Sequence, residues 1–319
     1  MASGVNHALA IDSLGHLWTW GVPSLGQRVS RRVRHKWLAP RRADVGRLRF
    51  DKVWCGFHSN FALSRDGRLY SWGQNVHMQT GHVNEGAMTV IAAPTEVEFA
   101  GDSDVEIADV APASHHTVVL DKQGGVWTFG RNASGELARR TPRPELSEEE
   151  RALLQGRSFV KEPLQSAQAT PIDWTGGRAG DDEDVVPSTS LYPTLSPLPP
   201  PQTAALEARV SDVASERRVR QIGAGESRSF FVTKDGSLWA AGFAGEYALG
   251  SGSEESRRKP VRILEAERHL RNAHVVQVVS GSQHSLLLVK KGKLPKLGKP
   301  ATRSQATNTR AAKRRRTRR

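Results

Sequence analysis

Residues 55–81 read CGFHSNFALSRDGRLYSWGQNVHMQTG, and the order of residue types in this stretch decides the fold. Phe61 to Leu63 are apolar, and Leu69-Tyr70-Ser71-Trp72 sets two aromatics two positions apart. Residues two apart on an extended chain share a face, so these runs read as two strands with a ring-bearing side. Asp66-Gly67 lies between them. An Asp-Gly pair flanked by strand formers is a strong hairpin signal, with positive φ expected at both central positions. Gly73 then opens a second loop.

The same pattern recurs outward in both directions. It reads GVNHALAIDSLGHLWTWGVPSLGQ over 4–27, PASHHTVVLDKQGGVWTFGRNASGELA over 112–138 and GAGESRSFFVTKDGSLWAAGFAGEYALG over 223–250. A last, partial copy is SGSQHSLLLVKKG over 280–292. The turn glycines Gly15, Gly67, Gly124, Gly236 and Gly292 are separated by 52, 57, 112 and 56 residues. The long gap is about two periods, so it holds either an insertion or a repeat whose signature has decayed. Trp18, Tyr70, Trp127 and Trp239 form one column; Trp20, Trp72, Phe129 and Ala241 form the next. Small residues, Thr19, Ser71, Thr128 and Ala240, lie between them. A period near 50 with two to four strands per unit is the mark of a β-propeller, each sheet burying its two faces against its neighbours. The expected fold is therefore all-β: a partial or open propeller of about four blades plus a terminal half-repeat.

Aligned, the four full copies keep a turn glycine, an aromatic three residues on and a strand-ending glycine six on, approximating the family sentence G-x-x-H-(T/S)-x-x-L, D-G, aromatic-x-aromatic-G and G-Q-L-G. In this they resemble the regulator of chromosome condensation family, fungal members in particular, over about 1–135 and 216–292. The resemblance implies a seven-bladed propeller acting as guanine nucleotide exchange factor for the small GTPase Ran. It also implies a nuclear, chromatin-associated protein serving nucleocytoplasmic transport and mitosis. The first copy here is similar to a blade just past the middle of that ring, so an N-terminally shortened relative or an incomplete gene model is expected. The family's wedge element, pressed against the GTPase, comes from a blade upstream of every stretch in this chain, which leaves exchange activity uncertain. A non-catalytic propeller adaptor is the alternative reading.

The chain divides into repeats over 1–137, an acidic and proline-rich insertion over 138–214, repeats over 215–292 and a basic tail over 293–319. Within the insertion, LSEEERALLQ reads as a short helix capped by Ser147 and Glu150. Asp181 to Asp184 and the run Pro193–Pro201 are too polar and proline-rich to bury a core, so the segment is expected to be disordered. Residues 290–319 contain 13 Lys or Arg and no acid, while the whole chain holds 46 basic and 33 acidic residues, net +13. The net charge therefore belongs to the tail. Lys290, Lys291, Lys313, Arg314, Arg315 and Arg316 read as clusters for an import receptor and for DNA phosphates without sequence preference.

The position before the repeat histidine is occupied by Asn6, His58, His115, Ser227 and Gln283. These fall at one end of each unit and converge on one face in a ring; by resemblance, that face contacts Ran. His115, in Ser114-His115-His116-Thr117, matches a family histidine implicated in exchange, and Asn6 stands where some relatives have a functional aspartate. His7, His116 and His284, one position on, read as structural groups reaching a neighbouring blade. Arg28, Arg31, Arg32 and Arg34 lie in a stretch with no acid between Asp12 and Asp44. Guanidinium forks of this density suit carboxylates or phosphates, and by resemblance a loop here contacts histones of the nucleosome.

No enzyme signature competes. The sequence has no Walker loop, no HExxH and no G-x-S-x-G, and Gly223-Ala224-Gly225 lacks the third glycine of a dinucleotide site. Neither a catalytic residue, a metal site nor a cofactor is expected, and no 18-residue apolar run suggests a membrane span. The single cysteine, Cys55, has no partner for an internal disulfide and suits a reducing compartment.

Overall fold

The computed structural model describes residues 1–22, 37–82, 90–99, 104–138, 164–166, 188–196, 218–263 and 273–290. The first sheet runs β1 (Ala2–Ser3), β2 (His7–Ile11), β3 (Leu17–Gly21), β4 (Trp37–Arg42). The second runs β5 (Phe50–Cys55), β6 (Ser59–Ser64), β7 (Leu69–Gln74), β8 (Val90–Glu96). The third begins β9 (Ile107–Pro112), β10 (His116–Asp121), β11 (Val126–Gly130). Its next strand is β13 (Ser188–Ser196), with β12 (Leu164–Ser166) parallel on the outer edge. The fourth comprises β14 (Val219–Ala224), β15 (Arg228–Thr233), β16 (Leu238–Gly242) and β17 (Arg257–Arg262). β18 (His274–Ser280) and β19 (Ser285–Lys290) form a two-stranded fifth sheet. Among the described residues no strand joins the fifth sheet to the first, so the sheets make an open arc, a partial propeller.

Turn chemistry sets the hairpins, with one difference from expectation. At Asp66-Gly67 only the glycine takes positive φ, 86°. The Gly67 amide donates to the Ser64 carbonyl at 3.0 Å, and the Ser64 amide to the Arg68 carbonyl at 2.9 Å. Three residues therefore make the loop, a tight turn ended by a left-handed glycine, rather than two residues both at positive φ. Gly15, Gly124 and Gly236 repeat the arrangement, with φ of 83°, 90° and 80°.

Each of the first four sheets also shifts register between its third and fourth strands, one residue past the first aromatic column. Ser71 pairs Thr95 but Gly73 pairs Ile91; Thr128 pairs Thr194 but Gly130 pairs Ser190. Ala240 pairs Val261 while Gly242 pairs Arg257. The bulged stretches contain Pro94, Pro193 and Pro260, and Pro40 holds the same place in β4. A bulge needs no ladder N–H there, which is where a strand tolerates proline.

Four apolar clusters sit between consecutive sheets. Leu9, Leu17, Phe50, Ala62 and Trp72 fill the first joint; Phe61, Val110, Val119, Trp127 and Phe129 the second. Val118, Val126, Ile222 and Phe231 fill the third; Phe230, Leu238, Val275 and Val278 the fourth. Alternation along each strand sends one face backward and the next forward, so every sheet is apolar on both sides. The small residues between the aromatics are fully buried, and the hydroxyls of Ser71 and Thr128 tie down the following loop. Ser71 Oγ donates to Thr80 O at 2.6 Å and Thr128 Oγ1 to Leu137 O at 3.0 Å.

The third joint resolves the 112-residue gap. The third and fourth sheets pack directly on each other, and His116 Nε2 meets Ser229 Oγ at 2.9 Å across 113 residues of sequence. The gap holds an insertion, not a decayed blade. Part of that segment is regular: β13 completes the third sheet inside the stretch expected to be disordered, and its backbone pairs with β11. The expected helix over 146–155 and the acidic run 181–184 lie outside the described residues.

Candidate partner-binding face

Asn6, His58, His115, Ser227 and Gln283 all sit in the turn between the first and second strands of their sheets. The turns close identically: Gly4 N to His7 O, Gly56 N to Ser59 O, Ala113 N to His116 O, Gly225 N to Arg228 O and Gly281 N to His284 O, each 2.9 Å. A second bond pins the candidate residue itself. The amides of Val22, Gln74, Arg131 and Phe243 donate to the carbonyls of Asn6, His58, His115 and Ser227 at 2.8–2.9 Å. With the backbone held from both sides, the side chains face outward. Asn6 and Gln283 are exposed; His58, His115 and Ser227 are half-buried.

Successive turns touch backbone to backbone. A methyl placed on Gly56 would lie 2.7 Å from the Ala113 carbonyl oxygen, and the Val5 amide reaches Phe57 O at 3.3 Å. The structure therefore stacks these turns side by side along the arc. Behind them His7 and His116, one position on, lock their joints as their type suggested, whereas His284 in the fifth sheet is exposed. His7 Nε2 bonds Asn60 Oδ1 at 2.7 Å, as His116 does Ser229.

Two members of the face escaped the sequence reading. His77, on the loop after β7, meets His115 of the next sheet edge to face, ring centroids 4.9 Å apart. Arg131, just after Gly130, lowers the pKa of both rings by its charge. Burial is the larger cause in each: it brings His77 to about 4 and His115 below the ordinary imidazole value. Glu226 acts on His115 in the opposite sense. At neutral pH the centre of the face is thus a pair of uncharged imidazoles beside one guanidinium. Such a surface offers donors and acceptors at low desolvation penalty, together with a single positive charge. The signal for both residues was their place behind the strand-ending glycines Gly73 and Gly130, where the loop of one sheet bends over the turn of the next.

Cys55 is no nucleophile: burial pushes its thiol up to about 12, and the Sγ donates to Asn60 Oδ1 at 3.6 Å. Among the described residues no cluster of His, Cys, Asp or Glu is arranged to hold a metal, and no helix is long and apolar enough to cross a membrane. Arg28, Arg31, Arg32 and Arg34 lie outside the described residues, as do Lys291, Lys313, Arg314, Arg315 and Arg316. Lys290 ends β19 with an exposed side chain.

Models of the regulator of chromosome condensation (RCC1) repeat match residues 66–120 and 235–288, and a second model of that repeat matches 50–79. The mouse Regulator of chromosome condensation is 26% identical over 306 residues, covering 91% of this chain and 57% of that protein. The chain is thus built of regulator of chromosome condensation repeats. A Saccharomyces cerevisiae member, guanine nucleotide exchange factor SRM1, is 26% identical over 294 residues, covering 90% of this chain and 49% of that one. The solved structure of Prp20p from the same yeast, described with its binding properties to Gsp1p and histones, superposes with a TM-score of 0.64 at 22% identity. It covers 91% of this chain and 55% of Prp20p, and it shows the fold. The chain spans about half the length of the curated relatives it matches.

Proposed function

We propose that this protein is a Ran guanine nucleotide exchange factor of the family type, gripping the GTPase with the turn face around His115. The observation that carries this reading is the likeness to the mouse and yeast family members along 91% and 90% of the chain. The conserved-length turns with outward side chains at Asn6, His58, His115, Ser227 and Gln283 support it. Exchange of this kind needs no nucleophile. A protein that binds nucleotide-free GTPase better than the nucleotide-bound form shifts the population toward release by that difference alone.

The test is binding of the 319-residue chain to Ran in both states, with release of a fluorescent GDP followed alongside. The expected result is at least ten-fold tighter binding to nucleotide-free Ran and accelerated release. His115→Ala, which removes one half-buried contact at the centre of the face, is expected to weaken binding roughly ten-fold, the scale of a truncated interface anchor. Equal affinity for both states, or none, would sink the proposal. Tight binding with unaltered release would make the protein an adaptor.

We further propose that the protein works at chromatin in the nucleus, serving transport and mitosis. Here Arg28, Arg31, Arg32 and Arg34 would contact histones, and the tail from Lys290 to Arg319 would contact an import receptor and DNA. A reporter carrying residues 290–319 is expected to accumulate in nuclei and to bind DNA with an affinity that falls steeply with salt. Uniform distribution of the reporter, or salt-independent binding, would refute the role of the tail.

A further inference from the structure

The loops that follow the third strands carry a glutamine or glutamate over the next sheet. Gln79 is buried in the second joint; its Nε2 donates to Ser114 O at 3.4 Å, and its Oε1 accepts from His77 N at 2.8 Å. Glu136 occupies the same place in the third joint and is fully buried. Its Oε2 accepts from Ser134 N at 2.6 Å, reproducing the Oε1 half of the glutamine pattern. The main chain matches as well: Thr117 Oγ1 donates to Gln79 O at 2.8 Å, and Ser229 Oγ to Glu136 O at 2.6 Å. The other oxygen, Oε1, stands where Gln79 has its donating amide, and it is buried with no hydrogen-bond partner among the described residues. The residue at Ser114's place in the fourth sheet is Glu226, whose carbonyl is an acceptor. A carboxylate oxygen turned toward a carbonyl is repelled; a carboxylic acid hydroxyl there can donate.

We propose that Glu136 joins the third and fourth sheets as an uncharged carboxylic acid, its Oε1 hydroxyl donating to the Glu226 carbonyl, so that this joint loosens as the proton is lost. The surrounding charges do not offset an ionised carboxylate. Arg131, on the same loop, brings its Nε only to 4.0 Å of Oε1. From the fourth sheet, Arg228 gives its Nη2 to Ser282 O at 2.6 Å, and Glu226 accepts from Ser282 Oγ at 2.7 Å. Arg257, on β17, pairs with Glu255 at 3.2 Å, and Arg258 packs against Gly135 with its own interaction. From the third sheet, His115 faces His77, and buried His116 is engaged with Ser229. Burial accordingly pushes the Glu136 carboxyl from 4.5 up to about 7.

The sign follows from that direction. An acid whose folded pKa is raised lends stability that is complete below its unfolded value and is lost as pH rises through the folded one. The window here is pH 4.5 to somewhat above 7. Buried His116 and half-buried His77 and His82, with depressed values, act in the opposite sense and on the acid side. The inference stands whichever protein binds the turn face.

Hydrogen exchange of the full chain, corrected for the intrinsic pH dependence of amide exchange, tests it at pH 6 and 8.5. Opening of residues 131–138 and 226–231 is expected to increase roughly ten-fold across that interval in the wild type. Glu136→Gln should abolish the increase, and Gln79→Glu should create one in the second joint, at 74–80 and 114–119. A pH response unaltered by Glu136→Gln, or a second joint indifferent to Gln79→Glu, overturns the proposal. The second variant keeps the test decisive should the first fail to fold.

Discussion

Replacing Trp72 by alanine is expected to destabilise the protein by roughly 3–5 kcal/mol, the range for emptying a fully buried aromatic site. Trp72 has no exposed surface and lies in the joint between the first two sheets against Leu9, Phe50 and Ala62. The joint cannot collapse onto the gap without moving two sheets whose registers are set by their own ladders. In an array where each unit touches only its neighbours, the loss should be local. Hydrogen exchange is therefore expected to rise in β2, β6 and β7 and to stay near wild type in β15 and β16. Tyr70→Ala, on the same strand but half-buried, should cost distinctly less. A Trp72→Ala protein within about 1 kcal/mol of wild type in denaturant melts would show that the aromatic columns do not hold the sheets together.

Gly130→Ala is expected to damage stability and the turn face at once. Gly130 has φ of 111°, where a side chain is strained, and an added Cβ would lie 2.5 Å from His115 O and 2.6 Å from His116 Cα. Both obstacles are backbone, so neither can rotate away. Strain and overpacking together place the loss at about 2–4 kcal/mol. The bond from Arg131 N to His115 O must lengthen, carrying His115 and Arg131 away from His77. Ran binding should fall with it, whereas His115→Ala should reduce binding and leave the melt nearly unchanged. Gly67→Ala separates conformational strain from collision: φ is 86° but nothing lies within 4 Å of the new methyl, so about 1 kcal/mol is expected. Equal effects at Gly67 and Gly130 would refute the argument from close approach.

The third sheet shows where a one-dimensional reading stops. Pro193 looked like the start of a polyproline run, since Pro199, Pro200 and Pro201 follow closely. Yet Pro40, Pro94 and Pro260 precede the last residues of the fourth strands at the same place, and the bulge opposite the strand-ending glycine is where each falls. That recurrent proline was a legible mark of the fourth strand. It was hidden because the insertion separates β11 from β13 by more than fifty residues. The hairpin loop is one residue longer than Asp-Gly alone suggests, for a related reason. Asp-Gly suits two loop lengths, and the choice rests on which carbonyl the glycine amide reaches.

What the amino-acid order settled alone was the repeating unit: turn glycine, paired rings and strand-ending glycine recurring at intervals near 50 residues, hence stacked sheets with apolar faces. That information is local, because strand alternation and glycine's freedom at positive φ depend on neighbours a few residues away. Only the tertiary structure placed the third sheet directly against the fourth, set His77 on His115 beside Arg131, and enclosed Glu136 in a slot made for an amide. These depend on which groups from sheets dozens of residues apart share one water-excluded space. Desolvation and the directions of the surrounding donors and acceptors, which no single stretch of chain encodes, give those side chains their character.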